Sequence, residues 1–158
     1  MTQEELKRLL SYNEKSGVFT WNIARGNRSA GSIAGNVTWS GYVEIKINKK
    51  VHYAHRLAWL YMTGNYPKQH TDHVDGNRSN NEFSNLREAT NGENSQNIRV
   101  VTKKNTSGFL GVQRSLKKWK ATISVNKRKI HIGTFDSPEG AYAAYVEAKR
   151  KNHSFCTL

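Results

Sequence analysis

From Asn94 to Phe135 the chain carries no aspartate or glutamate but ten lysines and arginines. The preceding segment, residues 71–93, has the opposite balance, with five acidic residues and two arginines. Over all 158 residues the formal net charge is +13, which suits binding to a polyanion such as nucleic acid. Carboxylates grouped inside a basic chain are what a metal-dependent phosphodiesterase needs, because cations hold the nucleic-acid backbone while carboxylates hold a divalent ion. The alternative is a solvated charged surface, which is the more common role of charge runs.

Hydrophobic residues make up 36% of the chain, enough for modest cores but not for one large core, so we expect two compact units. Cys156 is the single cysteine, which excludes an internal disulfide and a cysteine-based zinc site. The chain has no apolar run of eighteen residues, and its first ten residues are typical of an amphipathic helix rather than a leader. These features predict an intracellular protein that does not bind membranes.

Residues 1–70 carry the hydrophobic and turn patterns of a small mixed unit. Leucines at helical spacing predict one helix, and segments rich in β-branched and aromatic residues predict three or four short antiparallel strands. The predicted elements are a helix at 3–11, strands at 17–21, 41–47 and 51–53, and a helix at 55–62. The glycine-rich segment 25–36 predicts a loop. His52 and His55 could contact phosphate, although a packing role is more common for histidine.

Residues 71–97 carry the pattern that is most informative about chemistry. Asp72 and His73 fit a strand, a return strand is expected at 86–89, and a capping-box signature then starts a helix. These elements can bring a carboxylate, an imidazole and the amide oxygen of Asn94 around one hard cation. Such oxygen ligands suit Mg²⁺, and histidine titrates near neutrality, so His73 can accept a proton from attacking water. A polar, turn-rich loop would explain the seven asparagines between residues 77 and 97 equally well.

Four motifs in this region resemble the HNH endonuclease family, particularly its phage homing-endonuclease branch. They are Asp72-His73-Val74-Asp75-Gly76-Asn77, Asn80-Asn81, Ser84-Asn85-Leu86-Arg87 and Glu93-Asn94. Segments 17–21, 41–45 and 55–59 also resemble the region that precedes the motif in such phage proteins, so the likeness covers residues 12–97. The resemblance implies a phage-encoded protein that acts on double-stranded DNA in the cytoplasm of a bacterial host.

The resemblance also implies a role for each matching residue in a ββα-metal fold. His73 would be the general base, Asp72 and Asn94 would hold one Mg²⁺ or Mn²⁺, and Asn85 would brace the loop that carries His73. Asn94 stands where other branches have histidine, which favours oxygen ligands and disfavours a zinc or nickel site. The implied reaction is hydrolysis of a phosphodiester to 5′-phosphate and 3′-hydroxyl ends, without a small-molecule cofactor.

Arg87 has two interpretations. Its planar guanidinium suits two phosphate oxygens, so it is a candidate clamp on the DNA backbone. A structural ion pair with Glu88 or Asp75 is an equally good interpretation, because such pairs are common in proteins.

Beyond a basic linker at 99–106, residues 107–158 predict a three-stranded antiparallel sheet followed by a helix. The strands are expected at 108–113, 119–125 and 129–132, and Ser137 followed by Pro138 is a strong helix start. Alternation in the second strand divides its residues between two faces. One face has Trp119, Ala121, Ile123 and Val125, and the other has Lys120, Thr122 and Ser124. A basic polar sheet face can enter the DNA major groove.

Four motifs in residues 107–152 resemble the plant ethylene-response-factor (Apetala-two) DNA-binding domain. They are Phe109-Leu-Gly-Val-Gln-Arg114, Lys118-Trp-Lys-Ala-Thr-Ile123, Ile132-Gly-Thr-Phe-Asp136 and Glu139-Gly-Ala-Tyr-Ala-Ala-Tyr145. The resemblance implies base contacts from the sheet, for which the candidates are Gln113, Arg114, Trp119, Thr122, Ser124, Lys129 and His131, with Lys120 on the same polar face. Lys117, Lys118, Lys127 and Arg128 are candidate phosphate contacts. Simple core packing is the alternative for Trp119.

We therefore predict an α+β protein with a nuclease module at 1–98, a linker at 99–106 and a DNA-binding module at 107–158. Within the first module, residues 1–69 would form a β-rich segment with short strands, and 70–98 the ββα-metal motif. The leading functional hypothesis is a metal-dependent, homing-type DNA endonuclease, and we expect a monomer with a dimer as the alternative. The alternatives are a non-catalytic DNA-binding regulator and a nonspecific HNH nuclease.

Overall fold

The structure, a computed structural model, describes residues 1–24, 26–102 and 104–158. Two predictions fall partly on residues outside this set, because the glycine-rich loop includes Arg25 and the basic linker includes Lys103. The chain forms two compact units, Met1–Asn91 and Gly92–Leu158.

The first unit combines helices with small antiparallel sheets. Its elements are α1 (Gln3–Leu9), β1 (Leu10–Asn13), β2 (Val18–Trp21), β3 (Asn36–Val37), β4 (Val43–Ile47), β5 (Lys50–Tyr53), α2 (Ala54–Thr63), β6 (His70–His73), a 3₁₀ turn (Phe83–Asn85) and β7 (Leu86–Ala89). β1 pairs with β2, β4 lies between β3 and β5, and β6 pairs with β7. The core of this unit includes Leu6, Leu10, Phe19, Ile45 and Leu57, all of them buried.

The predicted elements of the first unit are present with small shifts. Helix α1 ends at Leu9 rather than at residue 11, because Leu10 already pairs with Trp21 in the β1–β2 hairpin. Helix α2 ends at Gly64, whose φ of 81° is the left-handed conformation that terminates many helices. Strands β1 and β3 are not among the predicted elements, because β1 takes residues expected in the first helix and β3 begins at the end of the expected glycine-rich loop.

The second unit contains a three-stranded antiparallel sheet and a long helix. Its elements are α3 (Asn91–Gln96), which begins at the last residue of the first unit, β8 (Val112–Ser115), β9 (Lys118–Val125), β10 (Arg128–Phe135) and α4 (Pro138–Asn152). β9 is the central strand. The Ser137 hydroxyl accepts the Gly140 N–H at 3.1 Å and caps α4, as the sequence predicts. Ala141 and Tyr145 of α4 pack in one core with Val112, Ala121 and Ile123 of the sheet.

The first strand of this sheet begins later than predicted. The sequence indicates a strand at 108–113, whereas β8 spans Val112–Ser115. Gly108 and Gly111 have φ values of 77° and 71°, which are turn conformations rather than strand conformations. A Cβ on Gly111 would lie 2.2 Å from the Tyr145 ring, so this glycine also allows close packing against α4.

The mixture of helices and small antiparallel sheets agrees with the predicted α+β class. Among the described residues, no helix combines the length and the apolar character needed to span a membrane.

Candidate functional site

Asp72 and His73 lie at the end of β6, where the strand pairs with β7. The register places Asp72 opposite Arg87 and His73 opposite Leu86. Both side chains are buried, with exposed fractions of 6% for Asp72 and 4% for His73. A carboxylate and an imidazole that are withdrawn from water in this way require polar partners, since their charged forms are costly to bury alone.

Arg87 supplies the partner of Asp72. Its Nε and Nη2 both donate to Asp72 Oδ2, at 3.0 and 2.8 Å. The sequence analysis considered Glu88 and Asp75 as ion-pair partners of Arg87, and the structure instead pairs Arg87 with the carboxylate directly across the hairpin. A charge-assisted pair in this partly buried setting orients the carboxylate as well as neutralising it.

The imidazole of His73 is oriented by Asn81, a residue to which the sequence analysis gave no role. His73 Nε2 lies 3.4 Å from Asn81 Oδ1, and the Asn81 side chain is fully buried. Asn81 Nδ2 donates to the Ser79 carbonyl at 3.0 Å, which determines the direction of the amide. Because an amide oxygen only accepts hydrogen bonds, the neutral ring carries its hydrogen on Nε2 and the lone pair on Nδ1.

Aromatic rings enclose His73 within the first unit. His55 approaches edge-on at 5.1 Å between ring centroids, and Tyr42 lies at 6.0 Å. Burial lowers the pKa of His73, although the hydrogen bond that His73 donates to Asn81 and the carboxylates of Asp75 and Asp72 oppose this change. The ring is therefore neutral at physiological pH, which is the form that accepts a proton.

His55 is buried beside His73 and stacks on Tyr53 at 5.5 Å. This placement agrees with a packing role. Burial lowers its pKa from 6.5 to about 3, and the positive charges of His73 and Arg56 act in the same direction. Among the described residues, its Nδ1 is buried without a hydrogen-bond partner. No local sequence signal distinguishes this histidine from an exposed one.

The lowered pKa of His55 predicts a loss of stability in acid. The unfolded chain takes up this proton below pH 6.5, whereas the folded chain does so only near pH 3. The free energy of unfolding should therefore be highest above pH 6.5 and fall as the pH drops towards 3, by on the order of 3 kcal/mol. His55→Phe should flatten this dependence in urea unfolding at pH 7, 5.5 and 4. The matched control is His131→Phe on the exposed sheet of the second unit, and an unchanged pH slope in His55→Phe would contradict the prediction.

Asn85 ties together the loop that follows His73. Its Nδ2 donates to Asp75 Oδ1 at 3.0 Å and to the Asn80 carbonyl at 2.9 Å, and its Oδ1 accepts the Asp75 N–H at 3.0 Å. The Asn85 carbonyl accepts the Val74 N–H at 2.9 Å. Burial alone would raise the pKa of Asp75, but hydrogen bonds from Asn80, the Asn77 N–H and Asn85 together lower it. One amide thus holds both ends of the loop, the geometry expected of a bracing residue.

Asn94 lies in α3, and the chain just after this helix is held by the end of the second unit. Gln96 Oε1 accepts the Phe155 N–H at 3.3 Å, and the Thr157 hydroxyl donates to Asn97 Oδ1 at 2.5 Å. The buried Lys149 donates from Nζ to the Ile98 carbonyl at 2.7 Å, and Arg99 donates to Thr157. The predicted linker therefore begins in a fixed segment. The meeting of Asn94 with Asp72 and His73 remains a prediction.

The sheet of the second unit has the two predicted faces. Paired residues on antiparallel strands share a face, and the pairs on the polar face are Gln113 with Lys120, Ser115 with Lys118, Thr122 with His131, and Ser124 with Lys129. All of the DNA-contact candidates among them are at least partly exposed except Thr122, which is 8% exposed. Neighbouring side chains thus leave this threonine the least accessible candidate.

Three candidates lie on the opposite face, towards α4. Arg114 pairs with Trp119, and Arg128 pairs with Val125, in line with the buried residues of the core. Trp119 packs against that core, which agrees with the packing alternative, and the Arg114 guanidinium lies 5.8 Å from its ring centroid. Lys117 and Lys127 are exposed in the turns between strands. Arg114 and Trp119 therefore lie on the face opposite to the one predicted to contact bases.

The Asp72 carboxylate lies beside His73 in β6 and is an oxygen donor of the kind that a hard divalent ion prefers. In the part of the chain that the structure describes, no group of three or more His, Cys, Asp and Glu side chains could hold a metal. Mg²⁺ takes few protein oxygens when water and substrate phosphate complete its shell, so a carboxylate with an amide oxygen such as that of Asn94 would suffice by its chemistry.

Comparison with known proteins places the site in a family. Residues 52–96 match the family model described as HNH endonuclease, a span that includes β6, β7 and α3. Protein 3.8 of Escherichia phage T7 is 36% identical over 85 residues, which cover 52% of this chain and 69% of that protein. No solved structure matches the chain. The chain belongs to the same family as the phage Protein 3.8 and contains an HNH endonuclease domain at residues 52–96.

Proposed function

We propose that this protein is a metal-dependent, homing-type DNA endonuclease that hydrolyses a phosphodiester to 5′-phosphate and 3′-hydroxyl ends. The observation that carries the proposal is the neutral, buried His73, which is directed by Asn81 and adjoins the ion-paired Asp72. Any buried imidazole needs a polar partner, and the match of residues 52–96 to the HNH endonuclease model is what favours a proton acceptor over a packing residue here.

In this mechanism the Nδ1 lone pair of His73 takes the proton of the attacking water. Asn81 keeps the hydrogen on Nε2, and Asn85 keeps the following loop in place. His73 is therefore already oriented as a proton acceptor, and little of the surrounding structure has to move during the reaction. Arg87 orients Asp72, and its planar guanidinium suits phosphate oxygens, which keeps it a candidate contact to the DNA backbone. The proton acceptor, the amides that orient it and the charged side chains therefore all lie on the β6–β7 hairpin and its loop.

Asp72 and Asn94 would hold one Mg²⁺ or Mn²⁺ as oxygen ligands. When bound, the ion would supply positive charge that stabilises the negative charge developing on the phosphate oxygens and on the departing 3′-oxygen. Asp72 brings its carboxylate from β6, and Asn94 brings its amide from α3. The hairpin and helix would then form a ββα-metal module, in keeping with the HNH endonuclease match.

The basic second unit would bind double-stranded DNA in the manner of an Apetala-two-like domain. Its polar face carries Lys120, Lys129 and His131 without an acidic residue among the paired positions. Lys117, Lys127 and Arg128 would contact phosphates, which position the protein without reading the sequence. The +13 net charge supports this assignment because each phosphate contact releases counterions.

Removing two lysines from the polar face should lower the salt dependence of DNA binding. Lys120→Gln/Lys129→Gln should reduce the slope of log affinity against log salt by about two, since each cation brought against DNA neutralises about one phosphate and each neutralised phosphate contributes about 0.9. The slope is measured by fluorescence anisotropy with labelled duplex DNA between 50 and 200 mM salt. The control Lys15→Gln/Lys151→Gln removes the same charge from exposed positions on other surfaces. Equal slopes for the two double variants would exclude this face as the DNA anchor.

The proposal is tested by converting supercoiled plasmid to nicked or linear DNA with purified protein in Mg²⁺. We expect cleavage that EDTA abolishes and that His73→Ala lowers, with 5′-phosphate ends at the cut. Plasmids should carry varied host-derived inserts, so that a site-preferring enzyme finds a target. Tight DNA binding without cleavage of any plasmid would overturn the nuclease and favour a DNA-binding regulator.

A further inference from the structure

Trp39 is fully exposed at the tip of the hairpin that joins β3 and β4. Tryptophan is usually among the most buried side chains, because its large apolar ring gains from leaving water. The three other tryptophans follow this rule, since Trp21 is buried, and Trp59 and Trp119 are partly buried against the two cores. Trp39 is therefore the aromatic side chain for which packing within the fold offers no explanation.

The tip that carries Trp39 is a fixed turn. The Thr38 N–H donates to the Tyr42 carbonyl at 2.8 Å, and the Gly41 N–H donates to the Thr38 carbonyl at 2.9 Å. The Thr38 hydroxyl lies 2.9 Å from that of Ser40 and donates to the Tyr42 carbonyl at 3.1 Å. Gly41 has a φ of 86°, which glycine adopts without strain. The ring of Trp39 is thus displayed by an ordered backbone, which lowers the entropy lost on binding.

Arg78 connects this tip to the loop that follows His73. Its Nη1 donates to the Ser40 carbonyl at 3.1 Å, and its guanidinium lies 4.9 Å from the centroid of the Tyr42 ring. The Tyr42 ring in turn lies 6.0 Å from that of His73. Three residues of extended chain span about 10 Å, so the Trp39 backbone lies no farther than that from Tyr42. This distance is roughly three base-pair steps of 3.4 Å.

We propose that Trp39 stacks against DNA bases beside the cleaved phosphate and so fixes the position of the cut. The inference rests on the proposed nuclease function, which puts the scissile phosphate next to His73. Duplex DNA is the partner that the surroundings favour, because the exposed neighbour Arg78 is cationic and a single ring on a narrow tip suits a base step. DNA-bending proteins insert apolar side chains between base steps while nearby cations hold the phosphates.

The test follows Trp39 in full-length protein that carries His73→Ala, so that binding is measured without cleavage. Mixed-sequence 30-base-pair duplex DNA is added to the protein that keeps Trp39 and to its Trp39→Phe and Trp39→Ala variants. Tryptophan fluorescence and its quenching by acrylamide are recorded for each protein. We expect DNA to quench the part of the emission that Trp39→Phe removes and to shield it from acrylamide. Trp39→Ala should weaken binding about tenfold, a typical effect for one stacked base, and Trp39→Phe less. Ile33→Ala, which removes an exposed apolar side chain from the same unit, is the control and should bind normally.

Two results would overturn the inference. One is acrylamide quenching of Trp39 that is unchanged when the protein is saturated with DNA, together with equal DNA affinities for Trp39→Ala and Ile33→Ala. The other is shielding that appears without DNA and grows with protein concentration, which would assign the ring to a contact between copies of the chain. In protein with His73 intact, Trp39→Ala should scatter the cut positions on a plasmid. Fluorescence shielding by DNA without any cleavage would leave the stacking contact standing and refute the nuclease instead.

Discussion

His73→Ala should lower the rate of DNA cleavage about 10²-fold or more, while DNA affinity stays within a few-fold of the parent. The substitution removes the proposed proton acceptor but leaves the basic surfaces that bind the phosphate backbone. Cleavage is measured under single-turnover conditions on supercoiled plasmid in Mg²⁺. Affinity is measured separately by anisotropy in EDTA, so that the two effects are resolved.

The matched control for this variant is His70→Ala, which removes an exposed histidine from the other end of β6. It should cleave at nearly the parental rate, because His70 lies on the strand surface. Parental cleavage by His73→Ala would remove His73 from the mechanism. A large loss in both variants would point instead to damage to the β6–β7 hairpin.

Asn85→Ala should destabilise the first unit by about 2–4 kcal/mol and lower cleavage at least tenfold. The estimate assumes about 1 kcal/mol for each of the three side-chain hydrogen bonds that are lost, with extra cost for groups left buried without a partner. Cleavage falls because the loop that begins after His73 loses its tie between Asp75 and Asn80. Urea unfolding followed by circular dichroism gives the stability, and plasmid nicking gives the activity.

Asn85→Asp sharpens this prediction. Aspartate can still accept the Asp75 N–H, but it replaces the donor with an oxygen that faces the Asp75 carboxylate. At pH 7 the variant should be at least as unstable as Asn85→Ala, and it should recover in part near pH 4 as a carboxylate takes up a proton. Asn77→Ala, in an exposed turn of the same loop, should cost no more than about 1 kcal/mol. Equal stabilities of all three variants would show that Asn85 does not brace the loop.

Short-range patterns predicted the elements that carry the site. The strand at 86–89 and the helix after residue 90 follow from alternation and a capping signature that lie within a few residues of each other. The three-stranded sheet of the second unit and α4 were predicted from the same kind of local pattern, including Ser137 as the N-cap of α4. The late start of β8 was missed, because the packing of Gly111 against Tyr145 involves residues far apart in the chain.

The same limit applies to the side-chain partners within the site. Arg87 was matched with nearby carboxylates along the chain, whereas the hairpin register sets it against Asp72, fifteen positions away. Asn81 was visible in the HNH-like pattern only as part of the Asn80-Asn81 pair without a role, because its orientation towards His73 depends on the fold of the loop. Strand register and burial determine which polar side chains form hydrogen bonds with each other, and a local sequence pattern does not contain that information.

Most helices and strands, the separation of charge and the residues that match the HNH motif could be predicted from the sequence, because these depend on neighbours along the chain, whereas the short strands β1 and β3 could not. Only the tertiary structure decided that His73 is buried against His55, that Asn81 selects its tautomer, and that Trp39 stands exposed on a tip held by Arg78. The physical reason is that exposure, pKa and hydrogen-bond direction depend on atoms brought together by folding across long stretches of chain.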